Sequence, residues 1–185
     1  MAALPQKRMS VDEFLVWVEE QPGRHELFRG SVYAMTPERA GRAEMTFAVQ
    51  TASANGIRGR RLPCHMLPDG MYVSTIQRRM SPMRWSIADH ALRLRHLKCP
   101  TPVIVAEVLP PSTRHVDAQI KLAGYFRLSS VAHYLVIDPD KPLVIHHARK
   151  DDDSILTRIV SEGTIILDPP GIELSIADIY PAPGA

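Results

Sequence analysis

The chain has 185 residues, with 22 Lys and Arg against 20 Asp and Glu and a formal net charge of +2. Apolar residues make up 45% and charged residues 23%, a balance that excludes a disordered chain and indicates one globular domain. No apolar run approaches the roughly 18 residues of a membrane span, and the first residues lack the apolar core of a signal peptide. The two cysteines form neither a disulfide framework nor a metal cluster. We therefore expect a cytoplasmic protein without a membrane association.

The first third of the chain predicts two helices and a hairpin between them. Ser10 begins a helix, because the glutamate three residues later completes a capping box. The stretch HELFRGSVYAM, residues 25–35, predicts two short strands with a turn at Gly30. A second helix is predicted for about residues 37–54, ending before the Asn-Gly pair at 55–56.

The rest of the chain is rich in strands. Strands are predicted within residues 71–75, 84–94 and 101–109, and the last has β-branched residues on both faces, as a covered central strand does. Ser112 or Thr113 then caps a helix to about Leu128. Further strands are predicted in HYLVID, LVIHHA, DSILTRIV and PGIEL, with a short helix after the last. The order predicts an α/β (α+β) fold with a mixed sheet flanked by helices. We expect a single domain over residues 10–180, a flexible N-terminus at 1–9 and a C-terminal tail at 181–185.

Two acids end apolar segments of the middle region. Asp89 closes WSIAD, and Glu107 closes VIVAE. If these strands are neighbours, their backbones lie about 4.8 Å apart, and the two carboxylates converge at one edge of the sheet. Mg²⁺ or Mn²⁺ would relieve their repulsion. The spacing leaves an alternative open, in which Asp89 caps a turn and Glu107 pairs with an arginine.

Lys121 and Glu26 are further candidates. Lys121 follows Asp117 by four residues, so it either forms a surface ion pair or orients water and neutralises phosphoryl charge in a transition state. Glu26 shares a strand face with Phe28, and it is either a third acid near the metal or an exposed hairpin residue.

Basic residues are concentrated between positions 58 and 98. This stretch contains nine basic residues and two acids, which gives it a local charge of +7. Such a stretch either attracts phosphate backbones or forms a solvated surface. The candidate nucleic-acid contacts are Arg58, Arg60, Arg61, Arg78 and Arg79.

Four segments follow one another along the chain: SVDEFLVWVEEQPGRHELFRGSVYAM, SIAD, AEVLPPSTRHVDAQIKLAGYF and HYLVIDPD. In this order they resemble the Uma family of bacterial restriction-endonuclease-like proteins, over about residues 10–180. The resemblance implies the fold of the PD-(D/E)xK nucleases.

The resemblance implies a role for each candidate residue. Asp89 matches the first metal acid, Glu107 the second and Glu26 an early acid of the family. Lys121 matches a lysine that has moved to the following helix, because Leu109 stands at its usual place. The implied function is a Mg²⁺- or Mn²⁺-dependent endonuclease that cleaves DNA.

The resemblance leaves a second function open. Arg-Gly-Ser at residues 29–31 replaces the Asp-Gly-Glu of the family, and Arg42 stands at the place of a histidine. These departures suit a catalytically silent nuclease-fold domain that binds nucleic acid or a protein partner. A homodimer is expected, because duplex cleavage needs two cuts and soluble oligomers are mostly symmetric pairs.

Overall fold

The computed structural model describes residues 8–23, 25–28, 30–34, 40–68, 71–74, 79–82, 85–89, 101–109 and 117–180. The helices in these ranges are α1 (Val11–Glu19), α2 (Ala40–Gly59), α3 (Asp117–Tyr125) and α4 (Ile176–Ile179). The strands are β1 (His25–Phe28), β2 (Ser31–Ala34), β3 (Cys64–Pro68), β4 (Met71–Ser74), β5 (Arg79–Pro82), β6 (Trp85–Asp89), β7 (Pro102–Val108), β8 (His133–Ile137), β9 (Val144–Arg149), β10 (Ile155–Val160), β11 (Thr164–Leu167) and β12 (Ile172–Ser175).

Local signals explain the start of the fold. The Ser10 hydroxyl accepts from the backbone N–H of Glu13 at 3.2 Å, and the Glu13 carboxylate accepts from the backbone N–H of Ser10 at 2.7 Å. The predicted capping box is therefore confirmed. Strands β1 and β2 pair antiparallel, and Gly30 between them has a φ of +83°, which a residue without a Cβ adopts at no steric cost. Phe14 of α1 packs on Leu27 of this hairpin.

The central sheet has six strands in the order β10-β9-β8-β7-β6-β3. Its β7 and β8 run parallel, with α3 between them in the chain, and the other neighbours are antiparallel. Because side chains alternate along a strand, Ile104 packs with Val49 of α2 on one face, while Val105 packs with Tyr125 of α3 on the other. The predicted mixed sheet flanked by helices, with a buried central strand, is confirmed.

Two smaller sheets complete the described fold. Strands β1, β2, β4 and β5 form a four-stranded sheet in the order β2-β1-β5-β4. The hairpin of β11 and β12 packs apolar side chains such as Ile165 and Leu174 into the α2 side of the core. Among the described residues, no helix combines the length and apolar character needed to cross a membrane.

The predicted end of the second helix is wrong. Helix α2 continues through Asn55 and Gly56 to Gly59. A Cβ on Gly56 would lie 3.3 Å from the Cβ of Ile172, so this glycine allows β12 to approach the helix closely and does not end it. The predicted strand at 84–94 is described only over β6, and the predicted helix caps at 112–113 lie outside the described residues.

Two neighbouring histidines on β9 face opposite sides of the sheet. His146 lies on the α2 side, where its Nε2 is 3.0 Å from Nδ1 of His133. Burial, followed by the charge of His133, lowers the pKa of His146 from 6.5 to about 4. His147 lies on the α3 side, where its ring stacks on that of Tyr134 at 5.7 Å. Burial also lowers the pKa of His147.

Candidate active site

Glu107 is a buried carboxylate with three donors. Its side chain lies on the α3 face of β7 and is 2% exposed. Oε2 accepts from Nζ of Lys121 at 3.0 Å and from the hydroxyl of Tyr134 at 3.3 Å. Oε1 accepts from the hydroxyl of Tyr125 at 2.5 Å. The acid in the apolar strand therefore has a lysine as its charged partner, where the sequence left an arginine or a metal ion open.

The register of three elements brings these side chains together. Lys121 and Tyr125 are four residues apart on α3, so they lie one above the other on the same helix face. On the parallel neighbour β8, Val136 lies level with Glu107. Tyr134 is two residues earlier on the same face, within the diagonal reach of an aromatic side chain.

The group is an almost fully desolvated ion pair. The side chain of Lys121 is 10% exposed, so water screens the pair little. An ionised carboxylate has about four acceptor positions, and the three bonds to Glu107 occupy one on Oε1 and two on Oε2. One position on Oε1 remains. Of the two alternatives for Lys121, the exposed surface position is excluded, because this lysine is buried against β7.

Sequence reasoning missed both tyrosines. Each has an exposed fraction of 0%, and their ring centroids lie 4.8 Å apart in the core between β7, β8 and α3. A signal for Tyr125 exists in its spacing of four residues from Lys121. Tyr134 has a weaker one, because it alternates with Val136 on the face of β8 that carries Glu107.

Arg42 approaches the same strand end from the opposite layer. It lies in the first turn of α2, and its Nε donates to the carbonyl of Val108 at 2.9 Å. Arg42 therefore contacts the C-terminal end of β7 from the α2 side, one residue beyond Glu107.

The structure does not bring Asp89 to Glu107. In the antiparallel pair of β6 and β7, Trp85 lies level with Ala106, and Ala88 lies level with Pro102. Asp89 is therefore displaced from Glu107 by at least five residues along β7, roughly 17 Å at the rise of an extended strand. The predicted convergence of the two carboxylates is wrong in this register. Both acids end their strands, but antiparallel neighbours place such ends at opposite edges of the sheet.

Glu26 lies in a different sheet from Glu107. It belongs to β1 and lies level with Tyr33 of β2 in the four-stranded sheet. Glu107 belongs to the six-stranded sheet. The assistance of Glu26 at the site stays a prediction.

The described basic candidates are found at the far end of α2 and in β5. Arg58, Arg60 and Arg61 are exposed where α2 ends, and Arg60 forms an ion pair with Glu173 at 2.5 Å. The 16 residues from Arg42 to Arg58 span about 24 Å of helix, so these arginines lie well away from the Glu107 end of β7. The backbone of residue 79 belongs to β5, and residue 78 lies outside the described residues. Nucleic-acid binding by these arginines stays a prediction.

The side chains described at this site do not by themselves fit a metal ion. Across the described ranges, no group of three or more His, Cys, Asp or Glu side chains could hold one. Glu107 offers a single acceptor position, so it could supply only one of the six ligands that octahedral Mg²⁺ takes. The role of Glu107 and Asp89 as joint metal ligands stays a prediction, and the register of β6 and β7 does not favour it.

Comparison with known proteins gives a family match, a sequence relative and a structural relative. Residues 11–178 match the Uma2 family, described as "Putative restriction endonuclease". The chain is 23% identical over 177 residues to the uncharacterized protein slr1290 of Synechocystis, covering 95% of this chain and 93% of that one. A solved structure, titled as a putative nuclease of the DUF820 group from Anabaena variabilis, has a TM-score of 0.72 at 13% identity and covers 93% of this chain and 97% of that one. The solved structure shares the fold of this chain. The family match spans nearly the whole sequence, so this chain belongs to the Uma2 family.

Proposed function

We propose that this protein is an endonuclease that cleaves phosphodiester bonds in DNA, with Glu107 and Lys121 in its active site. The observation that carries the proposal is their buried contact at 3.0 Å. The acid comes from the central strand and the lysine from the next helix, in a chain of the Uma2 family. Such a pair combines a fixed carboxylate with a fixed ammonium at the end of a covered strand.

Lys121 is the member of the pair that meets the substrate. Its side chain keeps an exposed fraction of 10%, against 2% for Glu107. An ammonium held in a dry site stabilises the negative charge that develops on a phosphoryl group more strongly than one in water does. Glu107 holds the ammonium in place through the contact of its Oε2 with Nζ at 3.0 Å.

The proposal includes a requirement for Mg²⁺ or Mn²⁺, which follows from the family resemblance. Such an ion would polarise the scissile phosphate and lower the pKa of a bound water. The described residues offer it one oxygen of Glu107, so the chemistry proposed here is assigned to the protein side chains alone. The plasmid assay with and without divalent ions tests the metal requirement.

One observation favours a second candidate function. The Glu107 carboxylate is already bonded by three protein donors, and Asp89 lies at the other end of the strand pair. This arrangement suits a catalytically silent nuclease-fold domain that binds nucleic acid or a protein partner. Silent binding needs no divalent ion, whereas the proposed cleavage does.

The test is nicking of supercoiled plasmid with Mg²⁺, with Mn²⁺ and with EDTA. We expect the wild type to nick only with a metal ion, and Glu107→Gln and Lys121→Met to lose at least 100-fold in rate. Glu162→Gln and Lys150→Met are matched controls at exposed positions and should keep the rate. Equal nicking by all five proteins would assign the activity to a contaminant or to another site. Absence of nicking by a wild type that still binds DNA would favour the silent domain.

Two further measurements bear on parts of the proposal. Asp89→Asn tests whether Asp89 belongs to the site, as the resemblance implies, or lies away from it, as the strand register indicates. A fully active variant would show that Asp89 is not part of the active site. The proposal also includes a homodimer, since two cuts are needed for a duplex. Light scattering at the assay concentration tests the dimer, and a monomeric mass with full activity would contradict it.

A further inference from the structure

We infer that Tyr125 and Tyr134 are positioning residues, whose hydroxyls fix the Glu107 carboxylate in one orientation against Lys121. The geometric part of this inference stands on the contacts alone. Its consequence for catalysis rests on the proposed function.

The two hydroxyls act on different oxygens of one carboxylate. Tyr125 bonds Oε1 at 2.5 Å, the short distance of an O–H to carboxylate bond, and Tyr134 bonds Oε2 at 3.3 Å. With Lys121 also on Oε2, both oxygens are held, so the terminal bond of Glu107 cannot rotate without breaking a hydrogen bond. The Tyr125 bond is the stronger restraint of the two because it is much shorter.

Packing alone does not explain the hydroxyls. The rings of Tyr125 and Tyr134 fill the core on the α3 side, and phenylalanine rings would fill nearly the same volume. A buried hydroxyl destabilises the fold unless it is hydrogen-bonded, so two of them on one carboxylate indicate a polar task. That task is to hold Glu107, and through Glu107 the ammonium of Lys121.

Fixed orientation affects rate more than binding. A misplacement of about 1 Å in a catalytic group costs on the order of 100-fold in rate, whereas binding of DNA depends on phosphate contacts spread over the surface. Loss of the Tyr125 hydroxyl should therefore lower kcat for nicking and leave KM nearly unchanged. A side chain that only stabilised the fold would change neither parameter at a temperature where the variant stays folded.

The experiment compares Tyr125→Phe and Tyr134→Phe with Tyr180→Phe. Tyr180 is a matched control, because its hydroxyl donates to the backbone carbonyls of Asp138 and Leu143 at 2.6 and 3.1 Å. Proton NMR reports the short bond to Glu107 as a resonance downfield of the amide region. We expect that resonance in the wild type, Tyr134→Phe and Tyr180→Phe, and expect its loss in Tyr125→Phe.

Kinetics of plasmid nicking supply the second readout. We expect kcat to fall at least tenfold in Tyr125→Phe and less in Tyr134→Phe, with KM within twofold of the wild type and Tyr180→Phe unchanged. A downfield resonance that persists in Tyr125→Phe, or wild-type kcat in both site variants, overturns the inference. A wild type that does not nick refutes the proposed function instead, and the resonance then decides alone whether the tyrosine holds Glu107.

Discussion

Replacement of Lys121 by methionine should destabilise the protein by about 3 kcal/mol. Removal of one partner of a buried ion pair costs roughly 3–5 kcal/mol, because the remaining charge stays buried without compensation. The Lys121 side chain is only 10% exposed, so the value needs little reduction for solvent. Two tyrosine hydroxyls still bond Glu107 in the variant, which places the expected loss at the lower end of the range.

Urea unfolding at pH 7, followed by circular dichroism, measures this loss as a lower midpoint at an unchanged m-value. For a chain of this size, about 3 kcal/mol corresponds to a fall in Tm of roughly 6–12 °C. A neutral amide is easier to bury than a lone carboxylate, so Lys121→Met combined with Glu107→Gln should be more stable than Lys121→Met alone. A loss below about 0.5 kcal/mol for Lys121→Met, within the range of a surface substitution, would refute the buried pair.

Three further predictions concern pH, packing and DNA. Burial and the neighbouring histidine keep the pKa of His146 at about 4 in the folded protein, below the ordinary 6.5. Between these two pH values the unfolded chain is protonated at His146 and the folded protein is not. The contribution of His146 to the free energy of unfolding should therefore be fully present above pH 6.5 and fall by up to about 3 kcal/mol as the pH drops towards 4. Urea unfolding of His146→Gln should show a weaker dependence of stability on pH. Gly59→Ala has open space and should raise Tm slightly, whereas Gly56→Ala should lower it, because its Cβ would crowd β12. DNA binding should weaken steeply with salt, and Arg58→Ala with Arg61→Ala should reduce the slope of log K against log salt by about two, without a change in Tm.

Elements governed by neighbours in sequence were predictable. The capping box at Ser10, the hairpin at Gly30 and the alternation of buried residues in β7 each depend on spacings of a few residues. The end of α2 was not predictable in this way. Gly56 resembles a helix stop in sequence, but its role is contact with Ile172, more than 100 residues later.

The same distinction between local and long-range signals applies to the site. Glu107 was found because a carboxylate in an apolar strand is unusual in the sequence itself, whereas the role of Lys121 came from the family resemblance. The partnership of Glu107 with Tyr134 depends on the parallel register of β7 and β8, which no local pattern fixes. The error on Asp89 has the opposite origin, since two strand ends were taken as one edge without the direction of the strands.

The polar group around Glu107 is difficult to explain by stability. A valine or leucine at 107 would continue the apolar face of β7, and methionine and phenylalanine would fill the places of Lys121 and the two tyrosines. Replacement of a buried ion pair by apolar residues of similar volume is often neutral or stabilising. The four polar side chains therefore add little to the fold that apolar ones would not. What they add is an ammonium and a carboxylate in fixed positions at the end of the central strand, and fixed charge in a dry site is what phosphoryl chemistry uses.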